Sequence, residues 1–169
     1  VYEGTARGDF KETACEIVFN TSMTGYVEIL TDPSYAGQGV VMTYPMIGNY
    51  GISREDFESE RLQPSAFIVH ELSSDPSNFR CTDTIENLLK EYNIPCISGV
   101  DPRAVVKKLR ESGTMRGVLT SDIGDRERLM DVIKSFRQID LVGSVTATQT
   151  KVYGDESTGA ELALRDLGR

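Results

Sequence analysis

Apolar residues in this chain gather into short runs separated by turn chemistry, and the runs do not alternate cleanly with polar ones. Ile17-Val18-Phe19, Val40-Val41-Met42 and Ala66-Phe67-Ile68-Val69-His70 are the three most continuous. Unbroken β-rich runs of this length fit strands covered on both faces. They predict strands over residues 15–20, 38–43 and 66–70, with shorter ones over 95–98 and 115–121. Gly117 lies inside the last of these.

Helical spacing enters between the runs. Thr24 is placed to cap a short helix over residues 25–30, which Asp32-Pro33 ends, because the residue before proline is pushed out of helical geometry. Ile85, Leu88, Leu89 and Tyr92 share one helical face, behind Thr82 or Asp83 as cap. Asp101-Pro102 opens the next helix as cap and first-turn proline; Val105, Val106 and Leu109 face inward and Gly113 ends it. Leu129, Val132, Ile133 and Phe136 predict a further amphipathic helix over residues 126–136. Residues 1–4 read as the end of a hairpin, and 54–62 as a solvated loop or a single helical turn. Residues 47–51, with two glycines, form a loop where backbone can approach something closely. After Val145 the pattern is lost to a polar, glycine-dotted tail or linker. Strands dominate the first half and alternate with helices only in the second. The expectation is therefore a mixed α/β domain with helices gathered on one side of the sheets.

Charge narrows the classes. The 169 residues carry 18 Lys plus Arg against 26 Asp plus Glu, a net charge of −8. An acidic chain read as having no basic stripe is a poor partner for nucleic acid or anionic lipid. No apolar run approaches a membrane span, and no signal peptide stands at the start. Cys15, Cys81 and Cys96 are odd in number and widely spaced, which suits a reducing cytosol.

Candidate chemistry is sparse. His70, the single histidine, falls within an apolar run and reads as a satisfied structural residue. No glycine-flanked serine or cysteine elbow is present for it to serve. Cys15 and Cys96 adjoin strands and read as small apolar residues. Metal-ligand spacing is lacking, and the acids Glu55, Asp56, Glu58 and Glu60 read as a solvated face. What remains is the hydroxyl-rich stretch between the first two strands: Thr21, Ser22, Thr24, Thr31 and Ser34. Such residues either cap helices and close turns or meet a small polar ligand at a sheet edge.

The stretch is more specific as a string. Phe19-Asn20-Thr21-Ser22-Met23-Thr24-Gly25-Tyr26, Glu28-Ile29-Leu30-Thr31-Asp32-Pro33-Ser34-Tyr35, Thr43-Tyr44-Pro45 and Ile47-Gly48-Asn49 resemble the N-terminal domain of the small chain of glutamine-hydrolysing carbamoyl-phosphate synthetase. The likeness continues through Ser77-Asn78-Phe79-Arg80 and Gly99-Val100-Asp101-Pro102-Arg103-Ala104. Cys15 departs from it, standing where the family commonly has glycine, and the expected consequence is a local backbone adjustment.

The resemblance implies a layered β/β/α domain of the swivelling type over residues 1–150, with the family's first strand preceding Val1. Residues 151–169 would then lead toward a class I glutamine amidotransferase domain carrying the Cys-His-Glu machinery, so that catalytic residues lie outside this chain. In the family that domain hydrolyses L-glutamine and passes ammonia to the large synthetase subunit. The large subunit makes carbamoyl phosphate, with ATP and magnesium bound there and no cofactor in the N-terminal domain. The serine of Thr31-Asp32-Pro33-Ser34-Tyr35 implies a glutamine contact at Ser34, against a turn cap as its ordinary role. Tyr26, Tyr35, Tyr44 and Tyr50 are expected as partly exposed rings on the face toward the second domain. The competing readings are a stand-alone binding or scaffold module of the same fold, and an independent hydrolase using Ser34 or Cys96, for which no base is at hand.

Overall fold

Thr13–Asn20 (β2) is the strand on which the sheet is assembled. In the computed structural model it runs parallel to Gln38–Met42 (β3) and antiparallel to Met115–Leu119 (β8). Beyond β3 lie Ala66–Ile68 (β5) and Cys96–Ser98 (β7), both parallel to it, and Thr5–Arg7 (β1), which pairs antiparallel with β7 at the edge. The six-stranded order is β1-β7-β5-β3-β2-β8. A separate two-stranded parallel pair joins Met46–Ile47 (β4) to Glu71–Leu72 (β6). The structure describes residues 1–8, 10–137 and 141–146, and the backbone of 151–155 and 160–164. The chain divides into two compact units, Val1–Gln138 and Ile139–Arg169.

The fold class is α/β with a mixed sheet, as the pattern predicts. Successive side chains of β3 and β5 point to opposite faces, and both faces are covered. Val40, Met42, Phe67 and Val69 enter one core with Tyr26, Leu30, Ile85, Leu88 and Leu89. Val41, Ala66 and Ile68 enter the other with Cys15, Val100 and Leu119. The helices Tyr26–Thr31 (α1) and Ile85–Glu91 (α2) therefore share one face.

The third helix, Pro102–Ser112 (α3), does not join them, since its Val105 packs on the second core. Helices are thus not all gathered on one side. The topology explains the division. Strands β2, β3, β5 and β7 step across the sheet in one direction, and crossovers of a single hand, the rule for parallel strands, account for α1 and α2 sharing a face. β8 pairs with β2 rather than β7, so the chain returns across the sheet and carries α3 over the opposite face.

Cys15 is fully buried, its register partner is Gly117, and a Cβ on Gly39 would stand only 2.7 Å from its Sγ. The thiol is accommodated by the bare backbone of Gly39, so no displaced strand is needed. Arg126–Ser135 (α4) has Leu129 buried, with Val132, Ile133 and Phe136 only half-buried. It is tied back by Arg128, which donates to both oxygens of Glu12 at 2.7 and 2.8 Å. That guanidinium, with the hydroxyl of Thr120 at 2.9 Å, holds the Glu12 carboxyl down to about 2. In the second unit Leu141–Val145 (α5) is helical, and Lys151–Asp155 (β9) pairs antiparallel with Ala160–Leu164 (β10).

Local signals held unevenly. Asp101 caps α3 by accepting from the amides of Arg103 and Ala104, as its spacing predicts. The cap of α2 is Thr84, accepting from Asn87 at 3.2 Å, and not Thr82 or Asp83. Thr24 makes no capping bond to α1. β5 ends at Ile68, which leaves His70 exposed in a bend beyond the strand.

Candidate functional site

Asn20, the last residue of β2, organises the stretch that follows. Its side-chain oxygen accepts from the Ser22 amide at 2.7 Å, and its side-chain nitrogen donates to the Tyr35 hydroxyl at 2.9 Å. One residue thereby fixes both the hydroxyl loop 21–25 and the single 3-10 turn Pro33–Tyr35. The loop leads into α1, whose first turn lacks the usual side-chain cap because Gly25, at φ 80°, occupies the cap position. The phenol oxygen of Tyr50 takes that role, accepting from Gly25 at 2.6 Å and Tyr26 at 3.2 Å. Amides left over at a helix start need such a partner.

The five hydroxyl candidates separate by environment. Thr31 is fully buried; it donates to Val27 and accepts from the Glu58 amide at 2.9 Å, pinning the 58–59 loop to α1. Thr21, Ser22, Thr24 and Ser34 are exposed. The 3-10 turn is capped by Asp32, whose carboxylate accepts from the Ser34 amide at 2.8 Å. The Ser34 hydroxyl makes no hydrogen bond to the described residues. It projects from a turn gripped on both sides, by Asp32 before it and by Tyr35 after it.

Of the four tyrosines expected to be partly exposed, Tyr35, Tyr44 and Tyr50 are half-buried. Tyr26 is not exposed: at 1% accessibility it lies in the first core, its hydroxyl donating to Gly51 at 2.8 Å and its ring stacked on Tyr50.

No nucleophile and base come together among the described residues. The Nδ1 of His70 lies 3.1 Å from the carbonyl oxygen of Val100. Burial pushes the thiols of Cys15 and Cys96 up to about 12, the inert direction for a nucleophile. Cys81 is half-buried and donates to Asp83. Arg80 lies against Glu55 and Asp56 and pairs with both. Among the described residues no cluster of three or more His, Cys, Asp or Glu could hold a metal ion. No helix among them is long and apolar enough to cross a membrane.

A second feature lies between α3 and the loops that follow β2 and β3. Beside the exits of β2 and β3, an open groove of about 420 Å³ is lined by Thr21, Thr43, Arg103, Val106, Lys107, Arg110 and Glu111. A short basic row does exist, at i, i+4 and i+7 of α3. The spacing carries the signal, but a net charge summed over the chain conceals it.

The chain matches the family described as carbamoyl-phosphate synthase small chain, CPSase domain, over residues 1–119. It is 45% identical to the carbamoyl phosphate synthase small chain of Clostridium perfringens across 99% of this chain and 48% of that protein. Identity to the small chain of Archaeoglobus fulgidus is 47%, covering 98% of this chain and 47% of the relative. With the Fusobacterium nucleatum small chain it is 53% over 72% of this chain and 34% of the relative. The chain spans about half the length of the curated relatives it matches. With its matched region extending from β1 through β8 and its likeness covering nearly the whole chain, the protein belongs to the carbamoyl-phosphate synthase small-chain family.

Proposed function

We propose that this chain is a non-catalytic domain of glutamine-dependent carbamoyl-phosphate synthesis, contributing one contact to the glutamine site and docking its protein on a large synthetase subunit. Residues 1–150 would form that domain. Residues 151–169 would lead toward a class I glutamine amidotransferase domain that supplies the Cys-His-Glu machinery, and ATP and magnesium belong to the large subunit. The setting is cytoplasmic, in the routes to pyrimidines and arginine.

The observation that carries this reading is Ser34. Its turn is closed by Asp32, so the hydroxyl has no structural duty there, and it stands exposed in the string shared with the family. A hydroxyl so placed can hydrogen-bond the amino-acid end of glutamine and leave the side-chain amide free for attack. The buried thiols and the isolated His70 support a supporting role rather than a catalytic one.

The test pairs two preparations. The isolated chain should release no ammonia from glutamine in a glutamate-dehydrogenase-coupled assay, whereas the full-length protein with its large partner should make carbamoyl phosphate from glutamine. Glutamine turnover by the isolated chain that survives further purification would overturn the reading.

A further inference from the structure

Arg103, Lys107 and Arg110 project from one face of α3, and none forms an ion pair with the described residues, in a chain of net charge −8. Local rules disfavour this arrangement. Like charges four residues apart repel on a helix, and a cation in the first turn, where Arg103 sits, opposes the helix dipole. Glu111 also lines the groove but closes no ion pair with Lys107 or Arg110. Arg110 is held in place, its guanidinium 5.6 Å from the ring centroid of Phe19. The hydroxyls of Thr21 and Thr43 face the same groove without a hydrogen bond to the described residues, and Val106 provides an apolar, buried floor. Arg110, in the last turn, suits the dipole, but Arg103 and Lys107 break the helix rules with no ion pair among the described residues to offset them, and such a local choice points to something outside the fold.

We propose that this groove receives an extended acidic segment of the partner chain, whose carboxylates pair with Arg103, Lys107 and Arg110. The inference rests on the docking reading above and specifies its surface. Charge complementarity commits it to carboxylates, since cations left unpaired in an acidic protein are free to meet negative charge. The layout favours a polypeptide over a small ligand. The three cations are exposed and span about 10 Å along the helix axis, whereas small-molecule sites enclose most of their ligand. Three residues of an extended strand cover about the same length, so carboxylates three positions apart would stay in register with the row. Nucleic acid is disfavoured by the surrounding negative charge.

The experiment measures association of the full-length protein with its large synthetase partner by biolayer interferometry at low and high salt. The variant is Arg103→Gln with Lys107→Gln and Arg110→Gln. A charge-matched control, Arg116→Gln with Arg126→Gln and Lys134→Gln, alters cations outside the groove. The groove variant should melt no lower than wild type, associate about 10- to 100-fold more slowly at low salt, and lose most of its salt dependence. The control should keep the wild-type rate. A groove variant that associates at the wild-type rate with the wild-type salt slope overturns the assignment, as does an equal loss in the control. Absence of wild-type association at any salt counts against the docking reading itself; association indifferent to the groove counts against the groove alone.

Discussion

Tyr50 both stacks on Tyr26 and caps the helix that Tyr26 begins. The ring centroids are 4.2 Å apart with planes inclined by 20°, while the Tyr50 oxygen accepts from the amides of Gly25 and Tyr26. A residue from the 47–51 loop thus closes the start of α1, directly beside the loop that carries Thr21, Ser22 and Thr24.

Tyr50→Phe should keep the stacked ring and lose the cap. A lost helix cap costs about 1 kcal/mol, so the denaturation midpoint should fall with little change in slope. Thr24→Ala, at an exposed residue that caps nothing, should stay within about 0.5 kcal/mol of wild type. Equal losses in urea unfolding would return the cap to Thr24.

The contrast shows what could be read in advance. β3 was legible because Val40, Val41 and Met42 are buried on both faces, and burial selects apolar residues at every position. α3 was legible because Asp101, Pro102 and Gly113 act within a few residues of their own positions. Tyr50 was not, since nothing near Gly25 announces a partner 25 positions away. β1 escaped for a related reason: Thr5, Ala6 and Arg7 are exposed and join the sheet through backbone pairing to β7, which leaves no side-chain pattern. The apolar run 66–70 continues past Ile68, the last paired residue, so its pattern draws His70 into a strand that ends two residues earlier. Ser34 stands out through the family resemblance alone; its ordinary role would be a turn cap, and the geometry gives that cap to Asp32.

Gly39→Ala should be destabilising, because the added Cβ would stand 2.7 Å from the Cys15 Sγ and 2.9 Å from Ile17. Overpacking of this kind costs about 1–3 kcal/mol. Cys15→Ala should relieve part of that cost when combined with it, giving a favourable coupling above about 0.5 kcal/mol in a double-mutant cycle. Strict additivity would show that the thiol and Gly39 do not share the space.

Thiol labelling of the native chain at mildly alkaline pH should find Cys81 reactive and Cys15 and Cys96 silent, with all three reacting after unfolding. Burial raises both buried thiols from 9.0 to about 12. Between those values the unfolded chain loses protons that the folded chain keeps, so their contribution to stability is complete below pH 9.0 and is lost as pH rises toward about 12. Urea unfolding that strengthens across this window, or rapid labelling of all three thiols in the native state, would contradict the buried environment.

The most direct measurement uses Ser34→Ala in the full-length protein with its partner, following glutamine-driven and ammonia-driven carbamoyl phosphate synthesis on one preparation. A hydrogen bond to a charged ligand group contributes about 1.5–3 kcal/mol, so glutamine kcat/KM should fall roughly ten- to a hundred-fold. KM should carry more of that change than kcat, because the contact lies away from the scissile amide, and the ammonia-driven rate should hold. Equal loss of both activities, with less folded protein, would make Ser34 structural and contradict the account.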